Sequence, residues 1–279
     1  MKPASFAYAA PTSLDEALDA LAEDGAVVLA GGQSLVLELV YRDQRPRLVV
    51  DVNRVPGLDH LREDDDGLAL GALVRHAALE RGGDGLVRRL LAEVAPYVAH
   101  PPIRARGTFC GSLAWGHPAA EWNAVALALD ARVHLRSATG RRTVAGADWF
   151  RGDRRTARQD GELVEEVVLP RLPSGATTGF AEHRRTHASF AEVAVVAVVV
   201  LEDERVREVR LSAAGLADRP LRLTAVEDLL VGTGAAEVAD RARAETPAHL
   251  DRAGHHAALA AELAGRALER ALRPEVVAA

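Results

Sequence analysis

Between residues 26 and 51 the chain alternates in a way that few folds accommodate. Ala26-Val27-Val28-Leu29-Ala30 is a short unbroken apolar run, the pattern of a buried strand. Gly31-Gly32 stop it, Ser34 is placed to cap a helix over Leu35 to Tyr41, and Leu48-Val49-Val50-Asp51 reads as the next strand. Upstream, Ser13-Leu14-Asp15-Glu16 is a capping box, opening a helix expected to stop at Gly25. This strand–turn–helix–strand layout predicts an N-terminal α/β unit over residues 1–58. At its turn, two glycines permit unusual dihedrals and close ligand approach. Successive N–H groups with a helix start just beyond form a concavity suited to phosphate. Glycines between a strand and a helix are also ordinary turn chemistry. The turn is neither the GxGxxG fingerprint nor a P-loop, because no Gly-Lys-Ser/Thr follows.

A second unit, residues 59–173, has its elements after the acidic loop Glu63 to Asp66. It reads as a strand (Leu68-Ala69-Leu70), a helix (Leu86 to Val94), a long loop from Tyr97 to Gly111, and a helix from about Ala119 to Leu129. Val133 and Leu135 before Ser137-Ala138-Thr139-Gly140 predict a hairpin arm and its turn. Leu163 to Leu169 supplies another strand, stopped by Pro170. The Pro-, Gly-, Ser- and Thr-rich stretch from Pro170 to Thr178 marks the expected boundary to a third region, residues 174–279. There Phe180 to Arg184, Val193 to Leu201 and Val206 to Leu211 predict three antiparallel strands. A capping box at Thr224-Ala225-Val226-Glu227 then opens a series of helices. Strands followed by helices define an α+β domain, and α+β is the fold class expected of the whole chain.

The long loop is the second candidate feature. Ordered loops of this length inside a compact domain are uncommon and often functional. Within it, Thr108-Phe109-Cys110-Gly111-Ser112 adds two hydroxyls to another glycine-containing turn. Two such turns from different subdomains are able to hold a diphosphate from both sides.

Composition excludes several classes. The 279 residues carry a net charge of −6 with the charges interspersed, so no nucleic-acid surface is indicated. Cys110 is the only cysteine, so no intrachain disulfide forms and no CxxC pair is offered for zinc or an iron–sulfur cluster. The longest apolar run, Val193 to Leu201, is shorter than the about 20 residues that span a bilayer. Without a signal-like start, a soluble cytoplasmic protein is expected. His183 and His187 have helical ligand spacing but fall in strand and loop, and His255-His256 point about 100° apart on a helix. Metal binding is not expected.

The sequence resembles the FAD-binding medium subunit of the molybdenum hydroxylases, the group that includes carbon monoxide dehydrogenase and the flavin domain of xanthine dehydrogenase. Ala30-Gly31-Gly32-Gln33-Ser34-Leu35 matches the first flavin loop, and Ile103-Arg104-x-Arg106-Gly107-Thr108 with Gly111-Ser112-Leu113-Ala114 matches the second. Pro118-Ala119-Ala120-Glu121, Asp148-Trp149-Phe150, Gly161-Glu162-Leu163, and Arg185 with Ser189-Phe190-Ala191-Glu192-Val193 occupy later landmarks. The resemblance implies a two-part FAD-binding domain of the vanillyl-alcohol-oxidase type, then a C-terminal domain with a three-stranded antiparallel sheet. It implies noncovalent FAD held by Val28, Leu29, Ala30, Gly31, Gly32, Gln33, Ser34 and Leu35, and by Thr108, Phe109, Cys110, Gly111 and Ser112. By the same resemblance Glu121 bonds the adenosine ribose and Leu163 approaches the isoalloxazine; the residues alone equally suit a first-turn helix acid and a core strand leucine.

The family's large subunit carries molybdopterin and its small subunit [2Fe–2S] clusters, so both groups are expected on partner chains. FAD then passes electrons to NAD or another acceptor, and no general acid or base is expected here. The chain departs from the family pattern at Cys110, where glycine is usual, at Ala105 in place of asparagine, and at Gly116-His117, Ala181 and His255-His256. A thiol at Cys110 crowds the phosphate if that position needs a positive φ. These departures leave a stand-alone flavoprotein acting on a small metabolite, or a flavin-free scaffold subunit, as alternatives.

Overall fold

The computed structural model describes residues 2–251 and 254–273. The chain divides into two compact units interleaved along the sequence. One is built from residues up to 81 with 100–116 and 130–170; the other from 82–99, 117–129 and the residues from 171 onward.

The first unit opens with β1 (Ala7–Ala9), α1 (Leu14–Leu21), β2 (Ala26–Leu29), α2 (Leu35–Tyr41) and β3 (Leu48–Asp51). The strands form a parallel sheet in the order β1-β3-β2, so the expected β2–α2–β3 crossover is present. Helix α1 buries Ala17, Leu18 and Leu21 against Leu48 and Val50 of β3. Its capping box is displaced by one residue. Ser13 Oγ accepts from the Glu16 N–H at 3.2 Å, but the Glu16 carboxylate accepts from the Thr12 N–H at 2.9 Å. The helix ends at Leu21, not at Gly25, whose φ of +72° turns the chain into β2.

Next come β4 (Leu61–Asp64) and β5 (Gly67–Gly71), a hairpin that takes up half of the expected acidic loop. The chain enters the second unit for α3 (Leu86–Val94) and returns for α4 (Phe109–Trp115). It enters again for α5 (Glu121–Ala128), then returns for β6 (Arg132–Ser137) and β7 (Gly140–Ala145). A short ribbon, β8 (Phe150–Gly152) with β9 (Arg155–Thr156), precedes β10 (Leu163–Pro170). The resulting antiparallel sheet has the order β4-β5-β10-β6-β7, with β10 at its centre. Pro170 closes β10 opposite Gly67, where a missing N–H costs least.

In the second unit β11 (Ala176–His183), β12 (Val193–Glu202), β13 (Arg205–Ala214) and β14 (Leu221–Arg222) form one antiparallel sheet in that order. The expectation of three strands is corrected to four. The added strand is two residues long, pairs only with Ser212 and Ala213, and has no alternation to read. Helices α6 (Thr224–Leu230), α7 (Val238–Glu245) and α8 (His255–Leu272) complete the unit. They share one core with Val193, Val195, Ala197 and Val199 of β12. Helix α5 packs on β12 and β13, where Ser212 Oγ donates to the Ala124 carbonyl at 2.6 Å. Cover on both faces explains the unbroken apolar run in β12. The second capping box does not form: Glu227 is buried, and its carboxylate accepts from the Leu211 N–H at 2.7 Å and from Arg222. Among the described residues no helix is long and apolar enough to cross a membrane.

Candidate functional site

The first loop leaves β2 at Ala30 and enters α2 five residues later. Gly31 lies in close backbone contact with the second loop: a Cβ there would stand 2.5 Å from the Arg106 carbonyl oxygen and 2.7 Å from the Gly107 Cα. Gly32 has a φ of +74°, a conformation costly to any residue with a Cβ. Its carbonyl accepts from the Val36 N–H at 3.0 Å, which starts the helix. Ser34 does not cap through its side chain, because its backbone is already helical at φ −101° and ψ −53°. Within the described residues the N–H groups of Gly31, Gly32, Gln33, Ser34 and Leu35 donate to no protein acceptor. Five successive amides are thus left for something outside the chain.

The second loop is more structured than the sequence suggested. Pro101–Arg104 forms a helical turn, and the Gly107 N–H returns to the Ile103 carbonyl at 2.7 Å. The Gly107 carbonyl accepts from the His76 N–H at 3.0 Å, and a Cβ on Gly107 would lie 2.8 Å from the His76 ring. Burial, then the charges of Arg104 and Arg75, push the His76 pKa down to about 3, so this ring is a neutral packing surface beneath the loop.

The expectation of a glycine-type turn over Thr108 to Ser112 is corrected. Thr108 is the N-cap of α4, and its Oγ1 accepts from the Gly111 N–H at 3.0 Å. Gly111 stands where a capping box would carry Glu or Gln, so the signal for a helix start was missing. Phe109 and Cys110 are buried, while Gly111 and Ser112 are half-buried. Cys110 does not have a positive φ, and its Sγ lies 3.2 Å from the Leu70 carbonyl in β5. Burial pushes the thiol pKa up, so Cys110 is an inert core residue and its side chain does not crowd the loop.

Leu163 is 2% exposed and packs with Leu18, Leu21 and Leu48 in the core of the first unit, the arrangement of a core strand leucine. Glu121, at the start of α5 in the second unit, is buried beside Glu182 of β11. Desolvation, then the neighbouring Glu182 charge, raise the Glu121 pKa well above the ordinary value. Glu182 is raised by burial, against the opposing pull of Arg184, whose Nε stands 3.6 Å from Glu182 Oε1.

Two residues outside the expected set each bond one of the loops. Asn53 Nδ2 donates to the Ala30 carbonyl at 2.8 Å, and Arg75 donates to the Arg106 carbonyl at 2.5 Å. Nothing in a single sequence distinguishes them: Asn53 follows a strand, where it reads as turn chemistry, and Arg75 is one arginine among many.

Five open amides, a positive-φ glycine and a tightly apposed second backbone suit a dinucleotide's pyrophosphate, and the apposition is too close for any Cβ at Gly31. The comparisons agree. Residues 4–172 match the family described as the FAD binding domain in molybdopterin dehydrogenase. Residues 178–275 match the C-terminal domain of the carbon monoxide dehydrogenase flavoprotein. The chain belongs to the FAD-binding medium subunits of the molybdenum hydroxylases. It is 39% identical to the alpha subunit of the 6-hydroxypseudooxynicotine dehydrogenase complex of Paenarthrobacter nicotinovorans, over 83% of this chain and 79% of that protein. It is 30% identical to the carbon monoxide dehydrogenase medium chain of Hydrogenophaga pseudoflava, over 97% of this chain and 98% of that one. A solved structure of carbon monoxide dehydrogenase from Oligotropha carboxidovorans superposes with a TM-score of 0.90 at 28% identity, covering 97% of this chain and 99% of that one. The chain is therefore an oxidoreductase subunit, with FAD as its cofactor.

Proposed function

We propose that this chain is the electron-transfer subunit of a hetero-oligomeric dehydrogenase, taking electrons from [2Fe–2S] clusters on a small partner and passing them to NAD or another acceptor. In this reading the substrate is oxidised at molybdopterin on a large partner. The observation that carries it is the row of open amides from Gly31 to Leu35, set against the second loop. Bound FAD supplies the redox chemistry. The protein's own residues bind and orient it, with Val28 to Leu35 and Thr108 to Ser112 along the pyrophosphate and ribityl chain. Ser112 and Gly111 are the more accessible residues of the second loop, whereas Phe109 and Cys110 are buried.

Glu121 as the ribose ligand rests on the resemblance, its carboxyl being buried beside that of Glu182. Leu163 as an isoalloxazine neighbour likewise rests on the resemblance, its side chain lying in the core of the first unit. A lone buried cysteine supports siting the iron–sulfur clusters on another chain. The spans of the two family matches support a domain boundary between residues 172 and 178.

The test is co-expression with the neighbouring large- and small-subunit genes. A yellow hetero-oligomer whose flavin is released intact by denaturant is the expected product. A colourless preparation that takes up no added FAD, or a lone subunit that turns over substrate unaided, would contradict the proposal. Gly32→Val should remove flavin from a folded chain, because valine at φ +74° also meets Leu29 Cδ1 at 3.1 Å. An unchanged flavin-to-protein absorbance ratio would take the first loop out of the site.

A further inference from the structure

The two loops meet at Gly31, and side chains from outside both of them reach each one. Asn53 lies just beyond β3, where its backbone N–H and its Nδ2 both reach Asp51 Oδ1, at 2.9 and 2.5 Å. The other Asp51 oxygen accepts from the Tyr8 hydroxyl at 2.6 Å. These bonds fix the Asn53 amide, with Nδ2 facing the Ala30 carbonyl at 2.8 Å and Oδ1 accepting from Arg75 Nη2 at 2.5 Å. Arg75 completes the path, its Nη1 donating to the Arg106 carbonyl. That same carbonyl faces Gly31 from the other side. A continuous chain of hydrogen bonds therefore runs from the first loop to the second through Asn53 and Arg75.

The chemistry of this path is selective. A carboxamide donates from its nitrogen to a carbonyl while its oxygen accepts from a guanidinium. The guanidinium supplies two diverging donors in a rigid fork, which an ammonium does not. Arg75 is half-buried and makes no ion pair with a carboxylate among the described residues. Burial and the neighbouring Arg106 charge pull its pKa down, and the more distant Asp51 and Asp59 oppose them. Its charge is spent on a loop carbonyl and an amide, beside amides suited to an anion.

We propose that Asn53 and Arg75 form a positioning bridge that sets the separation of the two FAD-holding loops. The proposal rests on the flavin reading above. Its test measures FAD dissociation constants and release rates, by recovery of flavin fluorescence, on the full chain. The variants are Arg75→Lys, Arg75→Met, Asn53→Ala, the double variant Asn53→Ala/Arg75→Met, and Gly32→Val as control. Thermal melts of the flavin-free proteins report folding separately.

Loss of a bridging hydrogen bond is expected to weaken FAD about tenfold in each single variant, Arg75→Lys included. The double variant should be little worse than the weaker single one, because both interrupt one path. Wild-type affinity in Arg75→Lys would assign the effect to charge and overturn the bridge, as would additive losses in the double variant. Melts that fall while FAD affinity holds would reduce the pair to a folding role, which also overturns it. If Gly32→Val retains FAD, the flavin reading of the first loop fails; if it alone loses FAD, that reading stands and the bridge does not.

Discussion

Cys110 illustrates how a residue's meaning depends on one dihedral angle. At a positive φ its Cβ would intrude on a bound phosphate; in the first turn of α4 the side chain points instead to β5. The thiol is 2% exposed and its pKa is raised by burial, so little thiolate is available to react. We expect Cys110 to resist an aromatic disulfide reagent in the native protein and to react on unfolding. Cys110→Gly should cost about 1–3 kcal/mol, from lost packing and the poorer helix propensity of glycine, while leaving FAD affinity close to wild type. Chemical denaturation and flavin titration measure the two effects separately, and a large loss of affinity would return the thiol to the site.

At the scale of elements, α4 does more than continue the second loop. Its N-cap Thr108 is buried and holds the Gly111 N–H, while Trp115 in its last turn donates from Nε1 to Glu38 Oε1 of α2 at 2.7 Å. The helices that follow the two loops are thereby tied to each other within the first unit. Thr108→Ala removes the cap and is expected to destabilise the protein by about 1 kcal/mol, within the range known for such caps. A lowered denaturation midpoint with unchanged slope would show this, whereas Thr108→Ser should restore most of it. The sequence made the first loop legible because an apolar run, two glycines and a strand lie in order. The second was less legible: α4 starts without a capping-box acid, and a tertiary contact with Val74, whose carbonyl accepts the Phe109 N–H at 3.0 Å, helps fix its first turn. Strand β4 was hidden for a related reason, since Arg62, Glu63 and Asp64 are charged and it is recognised only by its pairing with β5.

At the scale of the molecule, the buried acids couple folding to pH. Glu121 and Glu182 ionise above the usual carboxylate range in the folded protein, so the folded state binds more protons than the unfolded one. Their contribution is most favourable below the unfolded value of 4.5 and is lost as pH rises from there through the raised folded values. Glu121→Gln removes one ionisable group from the pair with little change of shape. It should therefore stabilise the protein at neutral and alkaline pH relative to wild type, by a margin that shrinks toward pH 4. Melting temperatures of both proteins across that range test this, and parallel curves would refute the coupling.

The sequence by itself determined the crossover around Gly31-Gly32, the family, and the α+β class, because each is written in local order: apolar period, glycine position, motif spacing. It also placed α3, β10 and the hairpin of β6 and β7 close to where they lie. What only the tertiary structure decided depends on residues far apart in the chain. The fourth strand of the second sheet exists through two pairings with β13. Glu121 faces Glu182 across 61 positions of sequence. Asn53 and Arg75 become a path between two loops only when β3 and β5 bring them together. Hydrogen bonds and burial of this kind follow from where the backbone returns to itself, which no local window records.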